Sequence, residues 1–269
     1  MLEKLNFDGA PVLVTGGASG IGLACCRSLA ELGATVLAVD VQKDMLAEAG
    51  EELAGLGAMS GSHRTYVADV TSEAEVEALA AQVTAEHGAL AALMNVAGTS
   101  DRDPIDRATL ESWNTIIAVN LTSMFLTTRA FLPLLKASQG AVLNVASTYG
   151  LIGTPNTPAY CASKGGVVNF TRQVAVDLRG TGVRVNSVCP GPTLTPRRQS
   201  YVAAGTSDNQ RSARKTLLQR EARPRRSPTS RSSCAPLPPP TCTAPPWWWT
   251  AGRRCTPEAS TESIPNPKI

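Results

Sequence analysis

The chain has 269 residues, a formal net charge of +3, 43% hydrophobic residues and seven cysteines. This length and apolar content allow one large α/β domain with an ample core, and they exclude a small disulfide-framed protein. There is no charged-then-apolar leader and no apolar stretch of about 18 residues. We therefore expect a cytoplasmic protein without a signal peptide or a membrane span.

The first predicted unit consists of a strand, a glycine-rich turn and a helix. An apolar run occupies residues 11–15, and apolar side chains recur at helical spacing over residues 21–32. Gly16, Gly20 and Gly22 would allow the backbone to approach a pyrophosphate closely, beside the free N–H groups of the helix start. Their spacing differs from the G-x-G-x-x-G form. A plain structural turn is therefore an alternative when these glycines are considered alone.

The second predicted strand, residues 35–39, ends at Asp40. A carboxylate there can accept hydrogen bonds from both hydroxyls of an adenosine ribose, and it would repel a 2'-phosphate. Val41 and Gln42 follow, so no arginine is present to bind that phosphate. The sequence therefore favours NAD over NADP. A role of Asp40 as the cap of a helix starting near Lys43 is compatible with this interpretation.

Later segments continue the alternation of strands and helices. Apolar or β-branched runs predict strands at residues 64–68, 91–96, 141–146 and 183–188, and apolar spacing predicts helices at residues 43–56, 72–87, 110–136 and 157–178. This alternation is typical of a doubly wound parallel sheet with helices on both faces. Such sheets bind ligands at the carboxyl ends of their strands, where the candidate residues of this chain lie.

Three polar residues suggest the chemistry of the site. Tyr160 and Lys164 are four residues apart in a predicted helix, so phenol and ammonium would share one face. The cation would stabilise the phenolate and lower a pKa that is normally about 10. Ser147, thirteen residues before Tyr160, is a hydroxyl donor at a strand end. Hydride transfer to a carbonyl needs such a donor and a proton source at one oxygen, which indicates a nicotinamide-dependent oxidoreductase.

Several motifs, in the same order, resemble those of the short-chain dehydrogenase/reductase family. Residues 15–22 match its cofactor turn, and residues 95–98, Asn-Val-Ala-Gly, match its Asn-Asn-Ala-Gly element with valine in place of the second asparagine. The resemblance covers about residues 7–220. It implies a single-domain Rossmann-like fold and a catalytic tetrad. The tetrad residues are Asn120, Ser147, Tyr160 and Lys164.

The resemblance also implies a role for each of these side chains. Tyr160 is the general acid/base, and Ser147 hydrogen-bonds the substrate oxygen. Lys164 lowers the tyrosine pKa and holds the nicotinamide ribose, while Asn120 supports a water in the proton relay. The implied cofactor contacts are Gly16, Ser19, Gly20, Ile21, Gly22, Asp40, Asp69, Val70, Asn95, Ala97, Gly98, Tyr160, Lys164, Pro190, Gly191, Thr193 and Thr195.

The implied function is hydride transfer between NAD(H) and the CH–OH or C=O group of a small alcohol or ketone. The implied assembly is a homo-tetramer or homo-dimer if the C-terminus is intact. Two alternatives stay open: an NADPH-dependent 3-oxoacyl thioester reductase, and a cofactor-binding protein whose catalysis is impaired by its altered C-terminus. No metal, nucleic acid or membrane partner is expected. His63 and His87 lack metal-ligand spacing and are expected to be plain surface or helix-end residues.

The substrate lid is assigned to residues 193–219, and Thr148, Tyr149 and residues 154–156 are further candidates for the pocket wall. Secondary alcohols, polyols, hydroxysteroids and 3-oxoacyl thioesters are all compatible with this sequence. Basic residues in the lid either attract an anionic substrate or form an exposed amphipathic face. They are Arg197, Arg198, Arg211, Arg214 and Lys215.

Residues 223–269 differ in composition from the dehydrogenase domain, residues 1–222. They hold 11 of the 19 prolines and seven Arg or Lys against two Glu, which is typical of disorder. The resemblance implies a seventh strand ending in Val-Asp-Gly-Gly here. Read one base earlier, the codons of residues 247–250 encode Val-Val-Asp, so we hypothesise a frameshifted tail in which that strand is missing or scrambled. The alternative is a genuine tail that binds nucleic acid or a proline-recognising domain.

Overall fold

The computed structural model describes residues 6–57, 62–203 and 222–223. Six strands form one parallel sheet in these ranges: β1 (Pro11–Thr15), β2 (Thr35–Asp40), β3 (Arg64–Val67), β4 (Ala92–Asn95), β5 (Ala141–Val145) and β6 (Arg184–Val188). Their order in the sheet is β3-β2-β1-β4-β5-β6. The chain therefore reverses its direction of winding between β1 and β4, and a crevice opens there at the carboxyl ends of the strands.

Helices connect and follow the strands: α1 (Gly20–Glu31), α2 (Lys43–Ala54), α3 (Glu73–His87), α4 (Leu110–Ile117), α5 (Ser123–Ser138), α6 (Pro158–Asp177) and α7 (Pro196–Ala203). The doubly wound fold expected from the sequence is confirmed. Predicted and observed element ends agree within about two residues, which is the spread between methods of assigning them. The sequence predicted no helix at α7, which forms the described start of the lid.

Helices cover both faces of the sheet because the side chains of each strand alternate between two cores. In β1, Val12 and Val14 pack against Leu29 of α1. Leu13 points to the opposite face and shares a core with Phe131 of α5. Val12, Leu13, Val14 and Phe131 are fully buried. Complete burial of one such side chain contributes about 1.5–3 kcal/mol to stability.

Helices α4 and α5 are joined by a π-helical turn, Ala118–Thr122. The sequence predicted one uninterrupted helix here. A π turn adds one residue to the helical repeat, and such turns are frequent at functional sites. The inserted turn carries Asn120, whose side chain is completely buried.

The combined helical stretch Leu110–Ser138 is long and apolar enough to cross a membrane by length and composition alone. The expectation that no segment has these properties is therefore wrong for this stretch. Its apolar side chains have another partner in the fold, because Phe131, Leu134 and Leu135 lie in the main core. A core helix of a globular protein meets the same criterion.

His63 differs from the expectation of a plain surface residue. Its half-buried ring accepts the Val36 backbone N–H at Nδ1, at 3.1 Å, and its Nε2 lies 3.1 Å from the Leu56 carbonyl oxygen. A neutral imidazole with its proton on Nε2 satisfies both contacts. His63 immediately precedes β3, so its bond to Val36 continues the hydrogen bonding between β2 and β3 by one residue.

The C-terminal region enters the described structure at Ala222 and Arg223. The Leu194 N–H donates to the Ala222 carbonyl at 2.7 Å, and the Ala222 N–H donates to the Pro192 carbonyl at 2.9 Å. These bonds attach the chain to the loop after β6. The rest of the lid, residues 204–219, and the tail hypothesis for residues 224–269 lie outside the described residues, so the missing seventh strand stays a hypothesis.

Candidate active site

A cavity of about 730 Å³ lies at the carboxyl ends of the strands. It is within the size range of small-molecule sites, and its position matches the crevice expected where the sheet reverses. The loops after β1, β2, β4, β5 and β6 all contribute to its walls. The glycine-rich turn and Asp40 form one part of its wall, and Ser147, Tyr160 and Lys164 form another. We call the first part the nucleotide end and the second part the substrate end.

The glycine-rich turn is packed so tightly that side chains are excluded. A Cβ atom on Gly22 would lie 1.9 Å from the Gly16 carbonyl oxygen, and one on Gly16 would lie 2.9 Å from the Ala97 Cα. Helix α1 starts directly behind the turn, and its N-cap, Ser19, makes no side-chain capping bond. The first backbone N–H groups of α1 are therefore available to an anion at the cavity wall, and their position fits a dinucleotide pyrophosphate.

Asp40 lies beside this turn, at the end of β2. Its Oδ2 accepts the Ala18 N–H at 3.2 Å and its Oδ1 accepts the Gln42 N–H at 3.0 Å. These bonds fix the carboxylate at the cavity wall. The N-cap of α2 is Gln42, so Asp40 is not the cap of this helix. It accepts the N–H of the capping residue instead. This geometry fits a group that binds ribose hydroxyls.

Ser147, Tyr160 and Lys164 meet at the substrate end. Ser147 follows β5, and its Oγ accepts the Tyr149 N–H at 3.1 Å. Its own proton is then free to point to Tyr160, and the interaction of the two side chains opposes the rise that burial causes in the pKa of Tyr160. Lys164, one turn after Tyr160 on α6, is 3% exposed, and its Nζ donates to the Val145 carbonyl at 2.7 Å. All three residues line the same cavity.

The pKa values of this group differ from the expectation in one respect. Burial raises the pKa of Tyr160, and the opposing influences are the Ser147 hydrogen bond and the charge of Arg197, rather than Lys164. Burial also lowers the pKa of Lys164 to about 8. Both shifts have one cause, since desolvation disfavours the charged form of each group. Lys164 still carries its charge at neutral pH, but its amine is held by the Val145 carbonyl.

Asn120 and Asn95 were both placed in the site by resemblance, and neither lines the cavity. The Asn120 amide donates to the Thr99 carbonyl at 2.9 Å and to the Ser163 Oγ at 3.0 Å, and its oxygen accepts the Thr99 N–H at 2.7 Å. These contacts clamp the loop after β4 onto α6. A water-holding role for Asn120 is not visible in them, because protein atoms use both of its N–H groups.

The Asn95 side chain supports the sheet, and its predicted contact with the cofactor stays a prediction. Its amide donates to the Asn144 Oδ1 at 2.9 Å, and its oxygen accepts the Thr127 hydroxyl at 2.8 Å. This buried network joins β4, β5 and α5. The other predicted cofactor contacts all line the cavity: Gly16, Ser19, Gly20, Ile21, Gly22, Asp40, Asp69, Val70, Ala97, Gly98, Tyr160, Lys164, Pro190, Gly191, Thr193 and Thr195.

The wall also contains residues whose place the sequence left open. Tyr149 and residues 154–156 line the cavity, whereas Thr148 does not. Arg197 and Arg198 of α7 line it too, so they are not confined to an exposed lid face. Arg102 also lines the cavity, which was not predicted from the sequence. Its position in the loop after β4, at the carboxyl end of a strand, could have indicated it. Arg211, Arg214 and Lys215 lie outside the described residues.

Comparison with known proteins agrees with this geometry. Residues 10–205 match the family model described as short chain dehydrogenase. The chain is 41% identical to cyclopentanol dehydrogenase of Comamonas testosteroni over 218 residues, which cover 79% of this chain and 84% of that protein. It is 39% identical to D-beta-hydroxybutyrate dehydrogenase of Cupriavidus necator over 204 residues, 74% of this chain and 76% of that protein.

Its fold is also similar to that of levodione reductase, a solved structure. The TM-score is 0.75 at 29% sequence identity, over 81% of this chain and 87% of the other. Sequence, fold and cavity position therefore agree. The chain belongs to the short-chain dehydrogenase family, whose members are NAD(P)-using oxidoreductases that act on CH–OH donors.

Proposed function

We propose that this protein transfers a hydride between NAD(H) and the CH–OH or C=O carbon of a small alcohol or ketone, with Tyr160 as the proton donor and acceptor. One observation carries the proposal. The Ser147 hydroxyl, the Tyr160 phenol and the Lys164 amine lie at one end of a cavity whose other end fits a dinucleotide. This places a hydroxyl donor and a proton source together.

The chemistry follows from these positions. Bound NADH supplies the hydride. As the carbonyl carbon accepts it, the C=O π electrons move to the oxygen, which Ser147 stabilises by a hydrogen bond and Tyr160 protonates. A positioned general acid contributes about 10²- to 10⁴-fold to such a rate. An oxyanion donor contributes about 10²- to 10³-fold. In the reverse direction, the Tyr160 phenolate takes the proton of the alcohol.

The finer choice of NAD over NADP rests on Asp40. Its fixed carboxylate can accept ribose hydroxyls, and in the same position it would repel a 2'-phosphate. The named relatives include an alcohol dehydrogenase and a hydroxy-acid dehydrogenase, which supports a secondary alcohol or ketone as substrate. The same carboxylate argues against the NADPH-dependent thioester reductase.

The proposal is tested with Tyr160→Phe, which removes only the phenolic oxygen. We expect loss of turnover by at least about 10²-fold on every ketone that the parent reduces, with unchanged NADH affinity. Turnover is followed at the absorbance of NADH, and affinity by its fluorescence. Tyr66→Phe is the matched control, because Tyr66 bonds Glu86 on α3 and does not line the cavity. Full activity of Tyr160→Phe would show that another group supplies the proton.

A further inference from the structure

We propose that the substrate carries a negative charge in addition to its reacting oxygen, as a carboxylate, sulfonate or phosphate does, and that Arg197 binds this charge. This inference rests on the proposed function, since it names the class of substrate of the same site. Arg197 would then be the residue that separates anionic from neutral substrates. Three features of the cavity support it: the distribution of charge, the position of Arg197 and its present partner.

The cavity is lined by more cations than carboxylates. Among the described residues that line it, the carboxylates are Asp40 and Asp69, which lie after β2 and β3 at the nucleotide end. The cations are Arg102 from the loop after β4, Lys164 from α6, and Arg197 and Arg198 from α7. Clefts lined by charge of one sign raise the local concentration of oppositely charged ligands. The excess of cations among these side chains therefore favours an anionic ligand.

Arg197 lies close to the candidate reacting groups. It is the second residue of α7, whose first turn is held by a bond from the Arg198 N–H to the Thr195 hydroxyl at 3.2 Å. From there its guanidinium crosses the cleft and donates to the Gly98 carbonyl. Gly98 lies beside Lys164, because a Cβ atom on Gly98 would be 3.4 Å from the Lys164 Nζ. The bond to the Gly98 carbonyl therefore brings Arg197 towards this lysine.

The electrostatic influence of Arg197 is consistent with this position. Burial is the main cause of the raised pKa of Tyr160, and the charge of Arg197 opposes it. Burial is likewise the main cause of the lowered pKa of Lys164, and the charge of Arg197 adds to it. A guanidinium that acts on both side chains is within reach of a small substrate bound between them.

The present partner of Arg197 is weak compared with an anion. Among the described residues no carboxylate lies within ion-pair distance of it, and its bond is to a neutral carbonyl. Charge-assisted hydrogen bonds are roughly twice as strong as neutral ones, and a guanidinium matches the two oxygens of a carboxylate. A substrate carboxylate can therefore displace the Gly98 carbonyl favourably.

The cofactor pyrophosphate is a second anion that could use Arg197, because the start of α7 also approaches the glycine-rich turn. A Cβ on Gly20 would lie 3.4 Å from the Thr195 side chain. The N-terminal N–H groups of α1 are available to the pyrophosphate, whereas the charge of Arg197 acts on Tyr160 and Lys164. We therefore assign Arg197 to the substrate, and the experiment below separates the two anions.

The test compares pairs of ketones that differ only in charge: 2-, 3- and 4-oxo acids of four to six carbons and their methyl esters, each with NADH. We expect the parent protein to prefer the acid in at least one pair. Arg197→Gln should lower kcat/KM for that acid by roughly 10- to 100-fold, the effect of removing one hydrogen bond to a charged group. The loss for the ester should be clearly smaller than that for the acid, and the affinity for NADH should change less than about twofold.

Arg179→Gln is the matched control, because it removes the same charge from the exposed region after α6 without touching the cavity. It should leave the preference for the acid intact. An equal loss for acid and ester together with weaker NADH binding would assign Arg197 to the cofactor and overturn the proposal. Reduction of esters and other neutral ketones but of no acid would also overturn it, while the proposed function stands. NADH binding without turnover of any ketone or alcohol would refute the proposed function itself.

Discussion

The two ends of the cavity are built in different ways. At the nucleotide end, the glycine-rich turn contributes backbone to the wall, and contacts such as that between Gly22 and the Gly16 carbonyl leave no space for a side chain there. At the substrate end the wall consists of side chains from separate loops, including Tyr149, Arg102 and Arg197. A backbone wall can hardly change without disturbing the fold, whereas side chains can be exchanged at little cost. The first end therefore suits one constant cofactor, and the second suits a substrate that differs among relatives.

The largest effect that this comparison predicts is that of Gly22→Ala. The new Cβ would meet a backbone carbonyl at 1.9 Å, which forces the turn to move. We expect NADH affinity to fall by at least about 100-fold and the free energy of unfolding to fall by about 1–3 kcal/mol. NADH fluorescence and urea unfolding measure the two quantities.

Gly153→Ala is the matched control for Gly22→Ala. A Cβ there would meet nothing within 4 Å, and its backbone needs no positive φ. Its NADH affinity and stability should equal those of the parent protein. If Gly22→Ala behaved in the same way, the nucleotide end would not be the rigid backbone wall described above.

A smaller effect is expected of Asp40→Ala, which removes a side chain at the nucleotide end and its bonds to the Ala18 and Gln42 N–H groups, but creates no clash. Loss of the carboxylate removes the ribose partner and the repulsion of a 2'-phosphate. The ratio of kcat/KM for NAD to that for NADP should fall by about tenfold or more. Asp44→Asn on α2 is the control, because Asp44 does not line the cavity. An unchanged ratio in Asp40→Ala would remove the basis for preferring NAD.

The smallest effect concerns the stability of the substrate end. The pKa of Lys164 in the folded protein is about 8, below the ordinary value of 10.5, so below about pH 8 the fold contains a desolvated charge. Because the unfolded chain binds more protons between these two values, stability should rise with pH across this window. At pH 7, the free energy of unfolding of Lys164→Met should therefore exceed that of the parent by on the order of 1–3 kcal/mol, and its unfolding should need more urea.

This difference between Lys164→Met and the parent should shrink at pH 9.5, within the window set by the pKa of Lys164. Parallel urea titrations at pH 7 and 9.5 measure it. A lower stability of Lys164→Met at both pH values would mean that the bond to Val145 outweighs the desolvation of the amine. In that case the substrate end would be stabilised by its charged residue rather than strained by it.

Much of the site could be predicted because its motifs are local. The strand, glycine turn and helix at residues 11–31 follow from neighbouring residues, and the spacing of Tyr160 and Lys164 places both on one face of α6. Asn95 and Asn120 show what this reasoning leaves out, and their predicted roles stay predictions. They lie beside cavity residues in the sequence, but buried polar groups take the nearest partners in space, and these are Asn144, Thr127, Thr99 and Ser163. The frameshift hypothesis for the tail stays a prediction that resequencing of the coding DNA would test.

By itself, the sequence determined the order of the strands and helices, the family, the glycine turn and the residues that could exchange a proton, since each depends on residue types at short spacings. Only the tertiary structure decided how far these residues are shielded from solvent and which charged groups lie near them. It turned the Lys164 amine to the Val145 carbonyl, raised the pKa of Tyr160 by burial and brought Arg102 and Arg197 into one cavity. Desolvation and the convergence of distant loops depend on packing between segments far apart in the chain, which no local pattern records.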